Sequence, residues 1–188
     1  MKKFALSVSA LIVFLCASAQ PADQGSMQAW QDYMKPGKVH EWLAKSEGKW
    51  KTEASMWTDP SKEPMKSTGE CENRMILGGR YLTFHYNGNF MNMPFEGYGV
   101  VAYDNDKKMF YQSWVDNMGT GLMNMQGTWD EATKTITFTG TSYDALMKMD
   151  MNEKQVMKFT DDNHYTMEMY TIMDNREMKT MEMNYTRM

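Results

Sequence analysis

Methionine is the residue type whose abundance and spacing in this sequence most suggest chemistry. The chain has 23 methionines among 188 residues. Many of them alternate with one other residue, in the segments Met91-Asn92-Met93, Met123-Asn124-Met125, Met147-Lys148-Met149-Asp150-Met151, Met167-Glu168-Met169 and Met181-Glu182-Met183. Thioether sulfur is a soft ligand that selects Cu(I), and exposed methionine can absorb oxidants by forming the sulfoxide. Soft-metal or oxidant chemistry is therefore one hypothesis for this pattern.

The same methionines have two other interpretations. Methionine is flexible and polarizable, so it fills irregular gaps in a core and packs well against aromatic rings. A methionine-rich lining can also adapt to apolar ligands of varied shape inside a cavity. The candidate ligand-binding residues on this last interpretation are Tyr81, His85, Trp114, Asp116, Met123, Met125, Met167 and Met169. The three interpretations differ in where the sulfur atoms point, so the sequence alone leaves them open.

Residue patterns of common catalytic and cofactor sites are absent from the sequence. His40, His85 and His164 do not have the spacing of metal ligands, and no nucleophile elbow, phosphate-binding loop or zinc motif occurs. Gly78 and Gly79 separate two predicted strands, where they indicate a hairpin turn rather than a phosphate site. We therefore expect a protein that is not an enzyme and that has no cofactor and no assigned metal ligands.

Residues 1–19 have the features of a secretory signal peptide. Two lysines precede an apolar run that ends at Cys16, and the small residues Ala17-Ser18-Ala19 follow. The apolar run has about thirteen residues, which is shorter than the roughly 20 that a membrane-spanning helix needs. We expect cleavage between Ala19 and Gln20, a periplasmic or secreted protein, and no stable insertion into a membrane.

The remaining chain is acidic and has a single cysteine. It carries 18 basic and 24 acidic residues, a net charge near −6. This balance argues against nucleic acids and anionic membrane surfaces as partners. Cys71 has no second cysteine with which to form an intramolecular disulfide, and we expect it to be a small, half-buried strand residue. The sequence predicts no particular oligomeric state.

Strand patterns account for most of the chain. Residues 20–35 have no clear period and predict a loose lead-in with one short helix, and one domain follows at 36–188. Segments rich in aromatic residues, threonine, valine and methionine recur there, each bounded by turn residues. The predicted strands are 48–58, 66–76, 80–88, 95–103, 109–117, 121–129, 134–143, 147–159, 164–173 and 177–187. Sequential hairpins favour an antiparallel up-and-down β-barrel of about ten strands, which leaves no exposed sheet edge.

Alternation within these strands assigns most methionines to an apolar face. Successive side chains of a strand point to opposite sides, so Met123 and Met125 share one face while Asn124 lies on the other. The other methionines assigned to apolar faces are Met147, Met149, Met151, Met167, Met169, Met173, Met181 and Met183. The repeated Met-x-Met pattern therefore predicts strands with one buried face.

The first and last predicted strands of the barrel carry a recognisable pair. Trp50 follows Gly48 in a Gly-x-Trp motif at the start of the first strand, and Arg187 ends the last strand. This pairing resembles the lipocalin and calycin superfamily, in which the tryptophan lies at the closed end of the barrel and a late arginine packs across its face. The resemblance implies structural roles for Trp50 and Arg187, which could stack in a cation–π contact worth about 0.5–1 kcal/mol or more.

Further sequence blocks strengthen this resemblance. They are PGKVH (36–40), GKW (48–50), MILGGRYL (75–82), PFEGYGVVAYDN (94–105), SWVDNMGTG (113–121) and YTRM (185–188). Together they resemble a bacterial lipocalin-like family carried as a domain of unknown function, numbered fifteen-seventy-nine, over roughly residues 34–188. The resemblance implies a calycin-like barrel and brings no reaction, substrate or catalytic residue. The methionine content departs from the family pattern, so a methionine-based function would belong to this member or a subgroup.

These observations favour a secreted, non-enzymatic binding protein that holds a small apolar molecule in a barrel lined by methionine and aromatic residues. The alternative is a methionine-rich periplasmic protein that binds Cu(I) or scavenges oxidants.

Overall fold

The computed structural model describes residues 24–188, so the predicted signal peptide and its cleavage site lie outside the described residues. Helix α1 spans Gln24–Met34 and helix α2 spans Lys38–Ala44. Of the described residues, 24–32 belong to a unit distinct from Tyr33–Met188. Helix α1 is the short helix that the sequence predicts. Helix α2, which begins after Gly37, was not predicted.

Ten strands follow the helices. They are β1 (Gly48–Met56), β2 (Met65–Ile76), β3 (Tyr81–Phe90), β4 (Met93–Asp104), β5 (Met109–Asp116), β6 (Met123–Asp130), β7 (Thr135–Asp144), β8 (Met149–Asp161), β9 (His164–Met173) and β10 (Arg176–Arg187). Each strand begins and ends within two residues of its predicted position. Alternating side chains and turn residues, which are local features, therefore located all ten strands.

The strands form a closed antiparallel barrel in which each strand pairs with its neighbours in the chain. Strand β1 also pairs with β10, from Trp50 opposite Arg187 to Met56 opposite Met181. The predicted up-and-down barrel is confirmed. Closure leaves the barrel with no free sheet edge.

Helix α2 lies at the barrel end where β1 begins. Its Trp42 ring contacts the rings of Trp129 and Phe159, with centroids 4.6 and 4.7 Å apart. Leu43 is buried in a core cluster with Phe110 and Phe138. These contacts fill this end of the barrel with large apolar side chains, as burial of aromatic surface favours.

The opposite end of the barrel, here called the mouth, is formed by five hairpin connections. They are residues 57–64, 91–92, 117–122, 145–148 and 174–175. Within Tyr33–Met188, no helix lies at the mouth. The two barrel ends therefore differ: one is packed by α2 and the other is made of hairpin tips alone.

The methionines that alternation assigns to apolar faces include both buried and exposed residues. Met125, Met151, Met167 and Met183 are buried, as alternation predicts. The prediction is wrong for three residues near the mouth, Met147, Met149 and Met173, which are exposed. Met147 lies in the β7–β8 turn rather than in a strand. Strand ends at the mouth extend beyond the packed core, so an inward-facing position there has few neighbours to bury it.

Cys71 is more buried than predicted. Its side chain is enclosed inside the barrel on β2, and its thiol contacts the Asn73 side-chain oxygen at 3.3 Å. The expectation of a half-buried residue is wrong because β2 is covered on its inner face by other strands of the closed barrel.

Candidate ligand cavity

A cavity of about 380 Å³ lies inside the barrel. Leu43 and Ser46 line it near α2, and Asn89, Asp116 and Met118 line it near the mouth. Pockets of about 300–1,000 Å³ are typical of sites for small molecules. The barrel interior is therefore partly open, with room for a small ligand.

One side of the cavity, here called the aromatic wall, is built by side chains of β3, β4 and β5. Its members are Phe84, Tyr86, Phe90, Phe95 and Trp114. The Phe84 and Trp114 rings are stacked, with centroids 5.5 Å apart and planes at 15°. Phe95 also stacks on Trp114, at 6.4 Å and 28°. Contacts of this kind hold the rings in place and present a stiff apolar surface to the cavity.

Two glycines of β4 allow the aromatic wall to form. A Cβ atom at Gly97 would lie 2.1 Å from Trp114 Cζ2, and one at Gly99 would lie 2.1 Å from Phe84 Cζ. Only glycine lets the two rings lie this close to the β4 backbone. The Trp114 Nε1 group also donates a hydrogen bond to Asp116 Oδ2 at 2.8 Å, which fixes the orientation of the indole.

The opposite side of the cavity, here called the thioether wall, consists of six methionines on β1, β8, β9 and β10. They are Met56, Met157, Met167, Met169, Met181 and Met183. Residues directly opposite on neighbouring antiparallel strands have Cβ atoms about 4.5–5.5 Å apart. The register forms two rows of three across neighbouring strands, Met56–Met181–Met169 and Met183–Met167–Met157. The wall is therefore continuous, and its unbranched side chains can change conformation to fit a ligand.

Polar groups inside the barrel largely satisfy one another. Gln112 and Gln155 exchange side-chain amide hydrogen bonds of 3.1 and 3.0 Å, and both line the cavity. Buried Glu153 accepts hydrogen bonds from the hydroxyls of Ser142 at 2.9 Å and Thr171 at 3.2 Å. Burial raises the pKa of Glu153, against the opposing effect of these two hydroxyl donors. Ser142 also lines the cavity, so a ligand could contact this hydrogen-bonded cluster through the Ser142 side chain.

One thiol and two phenol groups near the α2 end of the cavity stay protonated near neutral pH. Burial raises the pKa of the Cys71 thiol to about 12. Burial also raises the pKa of Tyr165 and Tyr185 well above that of an ordinary phenol, and the two rings are stacked at 4.1 Å. These three residues therefore present neutral thiol and phenol groups to the cavity near neutral pH.

Five of the eight predicted ligand-binding residues line the cavity: Trp114, Asp116, Met123, Met167 and Met169. Met125 is inside the barrel but is packed in the core, beside Phe110 and Phe138, and does not line the cavity. Alternation correctly placed these side chains on an inner face. It did not distinguish packed positions from cavity positions.

Tyr81 and His85 face outward, so the prediction that they line the cavity is wrong. Phe84 and Tyr86 are the inward residues of β3, and successive residues of a strand point to opposite faces. The His85 ring is stacked on Tyr98 with centroids 4.1 Å apart, and its Nε2 atom lies 2.9 Å from Glu96 Oε1. His85 is thus part of an outer polar cluster.

Most residues of the aromatic wall and of the thioether wall are not among the predicted ligand-binding residues. The predicted ligand-binding residues do not include Phe84, Tyr86, Met181 and Met183, although all four occupy alternating strand positions. Met157 has no Met-x-Met neighbour, and only its place on β8 assigns it to the wall.

A second cleft, of about 740 Å³, lies around α2. Its lining includes Lys38, Lys108 and Asp161 beside Trp42 and Trp129. Because charged side chains are mixed with the aromatic ones, this cleft is a less suitable site for an apolar molecule than the cavity inside the barrel.

None of the helices within residues 24–188 combines the length and apolar character needed to cross a membrane. In the same part of the chain, no three or more histidine, cysteine, aspartate or glutamate side chains are grouped so that they could hold a metal ion.

A family model described as "Protein of unknown function (DUF1579)" matches residues 35–187. The crystal structure of Rv2717c from M. tuberculosis is similar, with a TM-score of 0.62 and 11% sequence identity, over 82% of this chain and 99% of that one. The structure of the S-type phycobiliprotein lyase CPES from Guillardia theta has a TM-score of 0.54 and 10% identity, over 80% of this chain and 92% of the lyase. At these identities the likeness concerns the fold. No curated protein matches the chain.

Proposed function

The chain belongs to the DUF1579 family of lipocalin-like barrels, and we propose that it is a secreted, non-enzymatic protein that binds a small apolar molecule inside the barrel. The observation that carries this proposal is the cavity of about 380 Å³ between the aromatic wall and the thioether wall. Apolar pockets with a few polar groups are the usual form of small-molecule sites.

The two walls favour a ligand with a flat, apolar part. The stacked rings of Phe84, Phe95 and Trp114 form a stiff surface against which a planar or unsaturated group can lie. The methionines across the cavity can then adjust to the other side of the ligand. Ser142 and Asp116 offer polar contacts to one end of such a molecule.

The chemistry of the cavity supports binding rather than catalysis. A nucleophile or general base must be able to lose its proton near neutral pH. The raised pKa values of Cys71, Tyr165 and Tyr185 oppose this at three of the titratable positions that line the cavity.

Secretion is part of the proposal and has its own test. The lysines, apolar run and small residues at 1–19 support export and cleavage between Ala19 and Gln20. An intact mass of the protein recovered from the cell envelope or medium should correspond to residues 20–188. A protein that stays in the cytoplasm at full length would contradict this part.

Native mass spectrometry of the mature protein, purified from its own envelope, tests the binding proposal. We expect a co-purifying mass in the range of a small lipid, and binding of the apolar fluorescent probe N-phenyl-1-naphthylamine once that molecule is removed. Met181→Trp should abolish both because the larger ring occupies the cavity beside the thioether wall. Thr139→Trp, on the outer face of β7, is the matched control and should bind normally. A wild-type protein that has no co-purifying molecule and does not bind the probe would refute the proposal.

A second candidate function is Cu(I) binding by the thioether wall. The row Met56–Met181–Met169 places three thioethers side by side on neighbouring strands, and soft sulfur ligands select Cu(I). Anaerobic titration with Cu(I) tests this idea. The control is a variant in which all three methionines are replaced by leucine. Leucine keeps the apolar volume and removes the sulfur, so Cu(I) binding should disappear while binding of the fluorescent probe remains. Equal Cu(I) uptake by the leucine variant would refute this second candidate.

A further inference from the structure

Three neighbouring hairpin tips at the mouth expose apolar side chains. The tips are residues 91–92, 117–122 and 145–148, which connect β3 to β4, β5 to β6 and β7 to β8. Their exposed apolar side chains, here called the apolar crescent, are Met91, Met118, Leu122, Leu146 and Met147. Leu146 is 95% exposed, Met91 60% and Leu122 59%. Single exposed apolar residues are ordinary, but a contiguous group of them usually marks an interaction site.

Neighbouring strand ends enlarge this surface. Met93, Tyr143 and Met149 lie at the ends of β4, β7 and β8 beside the same tips, and all three are exposed. The crescent therefore extends over the rim of the barrel on the side of β3 to β8.

The tips are held in defined conformations that present these side chains to solvent. Asp144 Oδ1 accepts hydrogen bonds from the backbone N–H groups of Leu146 and Met147, each at 2.8 Å. Asp116 Oδ1 accepts one from the Met118 N–H at 2.9 Å. Met91 has a φ of +50°, in the left-handed region that favours glycine or asparagine. Neither burial nor backbone preference explains methionine at this position.

Charge is distributed unequally around the mouth. Lys148 is the single charged residue within the tips 91–92, 117–122 and 145–148. The other two tips, 57–64 and 174–175, carry Asp59, Lys62, Glu63 and Asp174. Asp116, Asp144 and Asp150 lie at the adjoining ends of β5, β7 and β8, below the tips. The protruding tips on one side of the mouth are therefore apolar except for Lys148, whereas those on the other side carry several charges.

We propose that the apolar crescent docks on the surface of an electrically neutral lipid bilayer. The crescent adjoins the cavity, since Met118 is both exposed at the tip and part of the cavity lining. Docking would place the mouth against an apolar phase from which a ligand can enter directly. The inference rests on the proposed function for its purpose, although the docking itself does not require a ligand.

A neutral bilayer fits the crescent better than the other candidate surfaces. Leucine and methionine at three protruding tips can enter the interface of a bilayer, and a lysine at the edge can keep its charge in water. The acidic balance of the chain, 20 basic against 24 acidic residues, disfavours anionic lipid. A protein partner seated on the same surface would cover the mouth and hinder exchange of ligand.

Vesicle flotation of residues 20–188 with phosphatidylcholine vesicles tests the proposal. We expect the wild-type protein to float with the vesicles. Leu146→Ser combined with Met147→Ser should weaken binding by about tenfold or more, because two large apolar side chains no longer enter the interface. Leu77→Ser is the matched control. It changes a residue that is 68% exposed in the β2–β3 turn at the opposite end of the barrel, and it should not alter flotation.

Two further measurements separate this proposal from the proposed function. Binding of N-phenyl-1-naphthylamine in solution should be equal for wild type and the double variant, and thermal unfolding should show that both are folded. If the wild-type protein floats with the vesicles but does not bind the probe, the binding function is refuted and the docking proposal stands. Failure of wild type to float, or equal flotation by the double variant, would overturn the docking proposal. The wild-type protein could instead fail to float and form a dimer, detected by light scattering, that the double variant does not form. This result would assign the crescent to contact with a second copy of the chain and would also overturn the docking proposal.

Discussion

The guanidinium of Arg187 lies over the indole ring of Trp50, with its central carbon 4.3 Å from the ring centroid. The two residues are directly opposite each other where β1 pairs with β10. Arg187 also donates hydrogen bonds to the carbonyl oxygens of Lys45 and Glu47, both at 2.6 Å, and of Asp162 at 2.9 Å. One side chain thus connects the seam of the barrel to the segment between α2 and β1 and to the β8–β9 turn.

Replacing Arg187 by alanine should lower the free energy of unfolding by about 2–3 kcal/mol, because charge-assisted hydrogen bonds and a cation–π contact are lost together. Arg187→Lys should recover only part of this loss, since lysine keeps the charge but lacks the planar fork that reaches three carbonyls. Urea unfolding followed by tryptophan fluorescence measures both. An alanine variant as stable as wild type would show that the seam does not depend on this residue.

Gly97→Ala should destabilise the protein by about 1–3 kcal/mol, the usual cost of inserting a methyl group into a packed site. The new Cβ would lie 2.1 Å from Trp114, so the indole must move away from β4. The hydrogen bond from Trp114 to Asp116 should then weaken, and the tryptophan emission should shift. Gly121→Ala, where nothing lies within 4 Å of the added Cβ, is the control and should change neither property. An unchanged spectrum in Gly97→Ala would contradict the close packing of Trp114 on β4.

Stability should depend on pH through Glu153. Burial raises the pKa of its carboxyl group in the folded protein above the ordinary value of 4.5. The folded state therefore holds this proton more tightly than the unfolded chain. The resulting stabilisation is complete below the ordinary pKa and is lost as the pH rises through the raised value.

Glu153→Gln removes this titration. The free energy of unfolding of the variant, relative to wild type, should therefore increase as the pH rises past the ordinary pKa of 4.5, and should level off above the raised pKa of the folded protein. Denaturant unfolding at several pH values measures this difference in stability. The glutamine amide can also change stability by an amount that does not depend on pH, so the test is how the difference varies with pH. Parallel curves for the two proteins would contradict a raised pKa at this position.

Cys71 should resist thiol reagents in the folded protein. With its pKa raised to about 12 by burial, the thiolate fraction at pH 8 is roughly a thousandfold lower than for an ordinary cysteine of pKa about 8.5. Iodoacetamide should label Cys71 rapidly in 8 M urea and very slowly without it. A cysteine placed at the exposed position Thr139, in a Cys71→Ser background, should be labelled rapidly in the folded state. Fast labelling of native Cys71 would show that its surroundings open readily.

Local sequence patterns were sufficient for the strands and for most of their inner residues. Alternation and turn residues placed all ten strands within two residues of their observed bounds. Met167 and Met183 are buried where alternation puts them. These properties depend on contacts close in sequence and on the period of two residues in a strand. Helix α2, with only seven residues, is too short to show a helical period.

Alternation identifies which residues share a face, and only packing decides which face is inside. In β3 both faces carry aromatic residues, so Tyr81 and His85 were assigned to the interior that Phe84 and Tyr86 occupy. At the mouth, Met147 and Met149 continue an apolar pattern past the end of the core and are exposed there.

The sequence by itself determined the strand order, the closed-barrel architecture and the family resemblance, because these follow from local periodicity, hairpin connections and recognisable motifs. Tertiary structure alone decided that Trp114 and Met167, 53 positions apart in the sequence, face each other across one cavity. It also decided that three apolar hairpin tips meet on one side of the mouth. The first arrangement arises from closure of β1 on β10, which brings distant strands to fixed positions around a common interior, and the second from the pairing of β3 to β8 in sequence order.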